Sequence, residues 1–127
     1  YTGASIASTF FITAATFGVM AAFGYFTKRD LSKMGSYLYM ALIGLIIATL
    51  VNLFLQSDTL MWIISYVGVL IFVGITAYDT QMIKSLVAES IGDEERTKKI
   101  ALLGALHLYL DFINLFLYLL RILGRRN

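Results

Sequence analysis

Long apolar runs without a charged residue dominate this chain and predict membrane-spanning helices. Residues 1–27, 34–57 and 59–78 contain no Asp, Glu, Lys or Arg. A helix needs about 20 apolar residues to cross a hydrocarbon core of about 30 Å, so each run is long enough. Further along, the chain is again apolar apart from one polar stripe. The pattern predicts an all-α membrane protein with four transmembrane helices, at about 3–27, 36–55, 60–91 and 99–123.

The composition agrees with membrane burial and excludes several classes of function. Hydrophobic residues make up 59% of the chain, charged residues 14%, and the mean hydropathy is +0.80, whereas soluble domains carry about a quarter charged residues. The net charge is only +2 and the basic residues lie at helix ends, so no nucleic-acid partner is expected. The absence of Cys excludes disulfides and thiolate metal sites. With one His and no run of metal-ligand spacing, we expect no tightly bound cofactor.

The basic residues also predict the orientation in the bilayer. The loops after the first and third helices hold seven of them: Lys28, Arg29, Lys33, Lys84, Arg96, Lys98 and Lys99. Four crossings place both loops on one side, which is cytoplasmic by the positive-inside rule. Arg121, Arg125 and Arg126 oppose this assignment from the other side but are fewer; a re-entrant last helix would remove the conflict. The chain opens inside an apolar stretch, at Tyr1, and we expect it to be the later part of a longer protein.

Two aspartates inside the predicted spans carry the candidate chemistry. An ionised Asp at the centre of a membrane helix costs roughly 2.5–3.5 kcal/mol, so Asp79 and Asp111 should face the bundle interior or a water-filled path. If the intervening loop is 89–99, the two lie roughly 15 and 18 Å into the membrane at 1.5 Å per residue. An antiparallel hairpin turning near Glu95 would therefore bring them to nearly the same level.

Such a pair predicts a pH sensor on an ion pathway. Two negative charges about 4 Å apart repel by about 4 kcal/mol at an effective dielectric near 20, so the pair should share one proton near neutral pH. When both are ionised, Asp79 and Asp111 would form a weak Ca²⁺ site. The alternative is that each Asp is a protonated packing element that hydrogen-bonds to Thr76, Asn114 or a backbone carbonyl.

Four further polar residues are expected to support the pair. Thr76 precedes Asp79 by one turn, and a stripe on the last helix shares the face of Asp111: His107, Asn114 and Tyr118. His107 has two interpretations, as a proton relay one turn from Asp111 or as a hydrogen-bonded His at the helix interface near the headgroups.

Three stretches of sequence resemble the Bax-inhibitor family of multi-pass membrane proteins, also called transmembrane Bax inhibitor motif-containing proteins. They are GITAYDTQ at 74–81, LGALHLYLDFINLF at 103–116 and YFTKRDL at 25–31. The likeness extends over the whole chain and is greatest to bacterial inner-membrane members. It implies a seven-helix fold with a central last helix, in which Asp79 and Asp111 form a hydrogen-bonded pair. The family's three earlier helices, including an Arg that latches one aspartate, have no counterpart in this chain.

Three functions remain open from the sequence. The resemblance implies a pH-sensitive calcium leak channel rather than an enzyme, with the lipid bilayer, Ca²⁺ and protons as partners. Intramembrane aspartyl proteases also use two membrane aspartates, but they carry Gly-x-Gly-Asp where this chain has LYLD at 108–111. A non-conducting regulator of another membrane protein, such as a membrane protease, is the third. Its contact face would be the small-residue stripe of Ala14, Gly18 and Ala22.

Overall fold

Four long helices connected by short turns make up residues 1–124, the part of the chain that the computed structural model describes. They are α1 (Gly3–Phe26), α2 (Ser32–Leu55), α3 (Asp58–Glu89) and α4 (Glu94–Leu123). Each is long and apolar enough to cross a membrane, and no strand occurs in the described range. The prediction of an all-α membrane protein with four such helices is confirmed. Arg125 and Arg126, which entered the orientation argument, lie outside the described residues.

The helix starts differ from the predicted ones, most of all for α4, which begins at Glu94 and not near residue 99. Gly92 has the left-handed φ of 101° that ends the preceding turn, a conformation that glycine adopts without steric cost. The Asp93 side chain then accepts a hydrogen bond from the backbone N–H of Arg96 at 3.1 Å, and Glu94 and Glu95 occupy the first turn. Acidic residues suit the positive end of the helix dipole, so the helix begins there and the charged segment is helical.

The starts of α2 and α3 also differ from the predicted ones. Helix α2 starts at Ser32, not near 36, and α3 runs over 58–89, not 60–91. Ser57 caps α3 by accepting from the N–H of Leu60 at 3.2 Å, so Asp58 is the first helical residue. The turn between α2 and α3 is therefore only two residues long, which holds these helices antiparallel.

Helix α3 lies at the centre of the described bundle. It packs against each of the other three helices, and α1 packs also against α4. Within residues 1–124, α1 and α2 make no close backbone approach to each other because α3 separates them. The resemblance gives the central place to the last helix, whereas in this part of the chain α3 holds it. The side chains of α3 are accordingly the most deeply buried, among them Ile75, Thr76 and Asp79.

Helix α1 packs through a face different from the predicted small-residue stripe. Ala14, Gly18 and Ala22 are exposed. The buried positions on α1 are instead Ser5, Thr9, Thr13 and Gly24. At Gly24 the backbone of α1 meets that of α3 so closely that a Cβ would overlap the carbonyl of Ala77. Small side chains do allow helix backbones to approach here, as expected for membrane helices, but at other positions.

Candidate functional site

The hairpin of α3 and α4 brings the two aspartates together. Near the turn, the hydroxyl groups of Ser90 and Thr97 are 2.7 Å apart. Two helical turns further into the bundle, Ile83 packs over Gly104. Continuing this antiparallel register places Asp79 level with Leu108, between His107 and Asp111, and carboxylate oxygens of both aspartates lie within 4.8 Å of one another and of a His107 ring nitrogen. The turn lies at residues 90–93, not around Glu95, yet the two carboxylates reach the same level.

Asp79 is the most enclosed member of the cluster, with 0% of its residue surface exposed. The Tyr39 hydroxyl, from α2, donates a hydrogen bond of 2.8 Å to Asp79 Oδ1. On the other side, His107 Nε2 lies 2.9 Å from Asp79 Oδ2, within ion-pair range. The Tyr39 oxygen is also 2.9 Å from His107 Nε2. The Tyr39 hydroxyl thus lies within hydrogen-bond distance of both Asp79 and His107.

Two carboxylate oxygens in the cluster are left without a hydrogen bond. They are Oδ2 of Asp79 and Oδ2 of Asp111, and both are buried among the described residues. The His107 contact to Asp79 Oδ2 is short but lacks hydrogen-bond alignment. A buried carboxylate oxygen without a partner is costly, so the arrangement is suited to take up a proton or a cation at this point.

The remaining predicted residues lie around the pair without hydrogen-bonding to it. Thr76 is buried beneath Asp79, but its hydroxyl donates to the carbonyl of Phe72 at 2.7 Å. Asn114 Nδ2 donates to the carbonyl of Leu110 at 2.9 Å. The Tyr118 ring stacks on Phe72 at 5.7 Å between centroids. The polar groups of Thr76 and Asn114 are thus satisfied within their own helices, and the side chains in polar contact with Asp79 are Tyr39 and His107.

A cleft of about 270 Å³ opens beside Asp111, between α2 and α4. Its walls combine apolar side chains of α2 and α3 with the polar stripe of α4: Tyr39, Leu42, Ile46, Phe72, Ile75, His107, Asp111, Asn114 and Tyr118. The stripe that the sequence placed on one face of the last helix lines this single cleft. A volume of this size holds several waters, whose share of liquid volume is about 30 Å³ each.

Comparison with known proteins identifies the family. A family model described as inhibitor of apoptosis-promoting Bax1 matches residues 1–127. The chain belongs to that family. The resemblance drawn from the aspartate stretches is therefore confirmed, and with it a multi-pass membrane protein.

Relatives of this Bax-inhibitor chain occur in several bacteria. Inner membrane protein YbhL of Escherichia coli (strain K12) is 59% identical over 129 residues, covering 100% of the chain and 55% of YbhL. An uncharacterized protein of Rickettsia prowazekii is 55% identical, over 100% of the chain and 53% of its own length. An uncharacterized membrane protein of Streptococcus pyogenes serotype M3 is 42% identical, over 100% and 55%. The chain spans about half the length of these relatives.

Tyr39 is the member of the site that sequence reasoning missed in this Bax-inhibitor chain. It lies in the apolar run of the second helix, where an aromatic residue is expected to face lipid or the core. The signal that was available is Gly35, one turn earlier, where the lack of a side chain leaves room for Tyr78. The rings of Tyr78 and Tyr39 then pack edge to face at 6.1 Å, and the Tyr39 hydroxyl reaches Asp79.

Gln81, two residues after Asp79, was also missed. Its Oε1 accepts from the N–H of Leu31 at 2.9 Å, and its Nε2 donates to the carbonyl of Arg29 at 2.7 Å. One turn on, Lys84 Nζ donates to the carbonyl of Tyr25 at 2.6 Å. Helix α3 thereby holds the loop between α1 and α2 through Gln81 and the end of α1 through Lys84. The signal in the sequence was the polar Gln81 at the end of GITAYDTQ, whose amide group can bond to the backbone of a neighbouring loop.

Proposed function

We propose that this protein carries a pH-sensitive leak for cations, with Ca²⁺ as the ion that crosses, in the bacterial inner membrane. The observation that carries the proposal is the meeting of Asp79 and Asp111 on adjacent membrane-length helices, both buried and each with an oxygen lacking a hydrogen bond. Intramembrane carboxylates are costly unless they serve a proton or ion path. The family membership and the inner-membrane name of YbhL support the setting.

The gate is the shared proton of the pair. With one proton between Asp79 and Asp111, the carboxyl groups attract each other and hold α3 against α4. Loss of that proton leaves two negative charges that repel by about 4 kcal/mol at 4 Å and an effective dielectric near 20. The hairpin then loosens next to the cleft, and the leak opens as pH rises.

Ca²⁺ meets only a weak site in this pathway. It prefers six to eight oxygen ligands, and the pair offers four carboxylate oxygens, to which waters in the cleft add. Weak, transient binding suits conduction because the ion must also leave. Asn114 and Tyr118 support the path by keeping the cleft wall on α4 polar.

Flux measurements test the proposal. The protein is reconstituted in liposomes and Ca²⁺ uptake is followed by a trapped dye across a pH series. In Asp79→Asn and in Asp111→Asn, only one carboxylate remains, so two repelling charges can no longer form and the rise of flux with pH should disappear. Asp58→Asn makes the same change of charge at the start of α3, outside the cluster, and should leave the pH profile as in the wild type. Unchanged flux and pH dependence in both cluster variants would refute the mechanism, in which the aspartate pair gates the leak.

Intramembrane aspartyl proteolysis is the second candidate, favoured by the same close approach of two buried aspartates. Against it stand the sequence LYLD at 108–111, which lacks the glycines of those enzymes, and the contacts of Tyr39 and His107 with Asp79. Cleavage of a model transmembrane substrate, blocked by an aspartyl transition-state analogue, would reverse the ranking.

A regulator of another membrane protein, such as a membrane protease, is the third candidate. The observation in its favour is the exposed small-residue stripe of Ala14, Gly18 and Ala22 on α1, since such stripes allow close helix packing in membranes. Co-purification of a partner that is lost in Gly18→Leu would support this function.

A further inference from the structure

Three side chains at the hairpin combine two kinds of metal ligand. Asp79 and Asp111 offer carboxylate oxygens, and His107 offers an imidazole nitrogen, with one ligand atom of each within 4.8 Å of the others. In a tetrahedral site with metal–ligand distances of about 2.0–2.2 Å, ligand atoms lie about 3.3 Å apart. The Nε2–Oδ2 distance between His107 and Asp79 is already 2.9 Å. Side-chain rotation of the order of 1 Å would therefore complete the geometry.

The unpaired oxygens give an independent reason to place a cation there. Oδ2 of Asp79 and Oδ2 of Asp111 lack hydrogen bonds, and these residues are only 0% and 5% exposed. A single proton shared by these two oxygens forms one hydrogen bond and compensates only one of the two negative charges. A dication bound to both oxygens compensates both charges and replaces the non-aligned contact with His107 by a direct metal–nitrogen bond.

The donor set selects the class of metal. Ca²⁺ and Mg²⁺ bind through oxygen ligands, whereas imidazole suits Zn²⁺ and its neighbours in the first transition row. Tyr39 keeps its hydrogen bond to Asp79 Oδ1 and so orients a ligating carboxylate, as residues around metal sites commonly do. The cleft beside Asp111 leaves room for a water as fourth ligand.

We propose that Asp79, His107 and Asp111 form a binding site for a first-row transition-metal dication, Zn²⁺ in particular, that joins α3 to α4. This differs from the sequence-based expectation, in which no stretch had metal-ligand spacing and only a weak Ca²⁺ site of two aspartates was foreseen. His107 and Asp111 are four residues apart on one helical face, and the third ligand comes from the neighbouring helix. The metal binds a nitrogen lone pair, so any proton on that nitrogen moves to the other ring nitrogen or to water, and any proton held between the carboxylates is released.

Equilibrium binding of Zn²⁺ tests the site. Isothermal titration of the detergent-solubilised protein with ZnCl₂ should give one site per chain, with proton release that scales with the ionisation enthalpy of the buffer. His107→Gln keeps a polar side chain but removes the nitrogen ligand, and should weaken Zn²⁺ binding at least about tenfold. Asp58→Asn should bind as the wild type does. Ca²⁺ binding should change far less than Zn²⁺ binding in His107→Gln. Equal Zn²⁺ affinity in wild type and His107→Gln would overturn the site.

A spectroscopic measurement on the unmodified protein guards against misfolding of the variant. Co²⁺ substituted for Zn²⁺ absorbs strongly in the visible when four-coordinate and weakly when six-coordinate with oxygen ligands. Strong absorption, displaced by Zn²⁺ at one equivalent, supports the site. A spectrum like that of aqueous Co²⁺ overturns it, whatever the variant does.

Metal binding and the proposed leak share residues but are tested apart. The titration needs no ion conduction, so flux that does not respond to Asp79→Asn and Asp111→Asn would refute the aspartate gate and leave Zn²⁺ binding in place. If the leak exists, Zn²⁺ should inhibit it by joining the two helices, and His107→Gln should lose this inhibition measured relative to its own flux. If the leak depends on pH but Zn²⁺ neither binds to the protein nor inhibits the leak, the metal site alone is refuted.

Discussion

Replacing Tyr39 by Phe removes a single hydroxyl from the centre of the site. That hydroxyl donates to Asp79 Oδ1 at 2.8 Å and lies 2.9 Å from His107 Nε2. The aromatic ring, which packs edge to face on Tyr78 with an interplanar angle of 74°, is retained in Phe. The variant therefore isolates the polar link between α2 and the α3–α4 hairpin from the packing of the ring.

The expected loss follows from the burial of the acceptor. Hydrogen bonds to charged groups contribute about 1.5–3 kcal/mol, and a buried acceptor that loses its donor is left with its desolvation cost. Because Asp79 is 0% exposed, water does not replace the hydroxyl. We expect Tyr39→Phe to lower the free energy of unfolding by about 1.5–3 kcal/mol. If the Asp79 carboxyl is protonated, the expected decrease in unfolding free energy is nearer to about 1 kcal/mol.

Unfolding in mixed micelles by increasing SDS, followed by circular dichroism, measures this difference. Tyr37→Phe is the matched control, because Tyr37 lies on the same helix two residues earlier and is 69% exposed, so its change should stay within about 0.5 kcal/mol. Equal unfolding free energies for the two variants would refute the reasoning, since the hydroxyl would then contribute nothing to holding α2 at the site.

Two further predictions concern the packing of α3 against the first two helices. Gly24→Ala should destabilise the fold by about 1–3 kcal/mol because its Cβ would overlap the backbone of Ala77, whereas Gly18→Ala, where nothing lies within 4 Å, should be neutral or slightly stabilising in the same SDS titration. Gln81→Leu should speed hydrogen exchange at the amide of Leu31, which loses its acceptor, and an unchanged exchange rate would show that the loop is held in another way.

The sequence predicted the architecture well because charge sets where membrane helices begin and end. Runs without a charged residue located the first three helices, a largely apolar run located the fourth, and the chain has no Pro to interrupt them. The error at the start of α4 has a physical cause. Residues 94–99 are too polar for the hydrocarbon, so they were assigned to a loop, yet the Asp93 cap makes them helical. The apolar pattern indicates which residues lie in the hydrocarbon. A helix can extend beyond the hydrocarbon, so the pattern does not give its full length.

The sequence predicted the membrane depth of the two aspartates but not which side chains contact them. Counting residues from a hairpin turn placed Asp79 and Asp111 at one level, because rise per residue is nearly constant in a helix. Helix rotation is set by packing, which the count does not contain. Helix packing turned His107 toward Asp79 on the neighbouring helix and placed Tyr39 of α2 next to both. Thr76 and Asn114, expected partners of the aspartates, instead bond to carbonyls one turn earlier in their own helices.

The position of Tyr39 bears on how a change at the aspartates reaches the rest of the bundle. Within the described range, the backbones of α2 and α4 make no close approach, and the cleft beside Asp111 lies between them. The Tyr39 hydroxyl crosses this gap to His107 while it also bonds to Asp79 on α3. If α4 moves away from α3 when the pair loses its proton, the contact with His107 must break first, because Asp79 and Tyr39 belong to two helices that remain packed. A metal ion bound to His107 on α4 and to Asp79 on α3 would oppose the same movement, because it would join the two helices. The two proposals therefore predict opposite effects on the separation of α3 and α4: proton loss at the pair would increase it, and a bound metal ion would limit it.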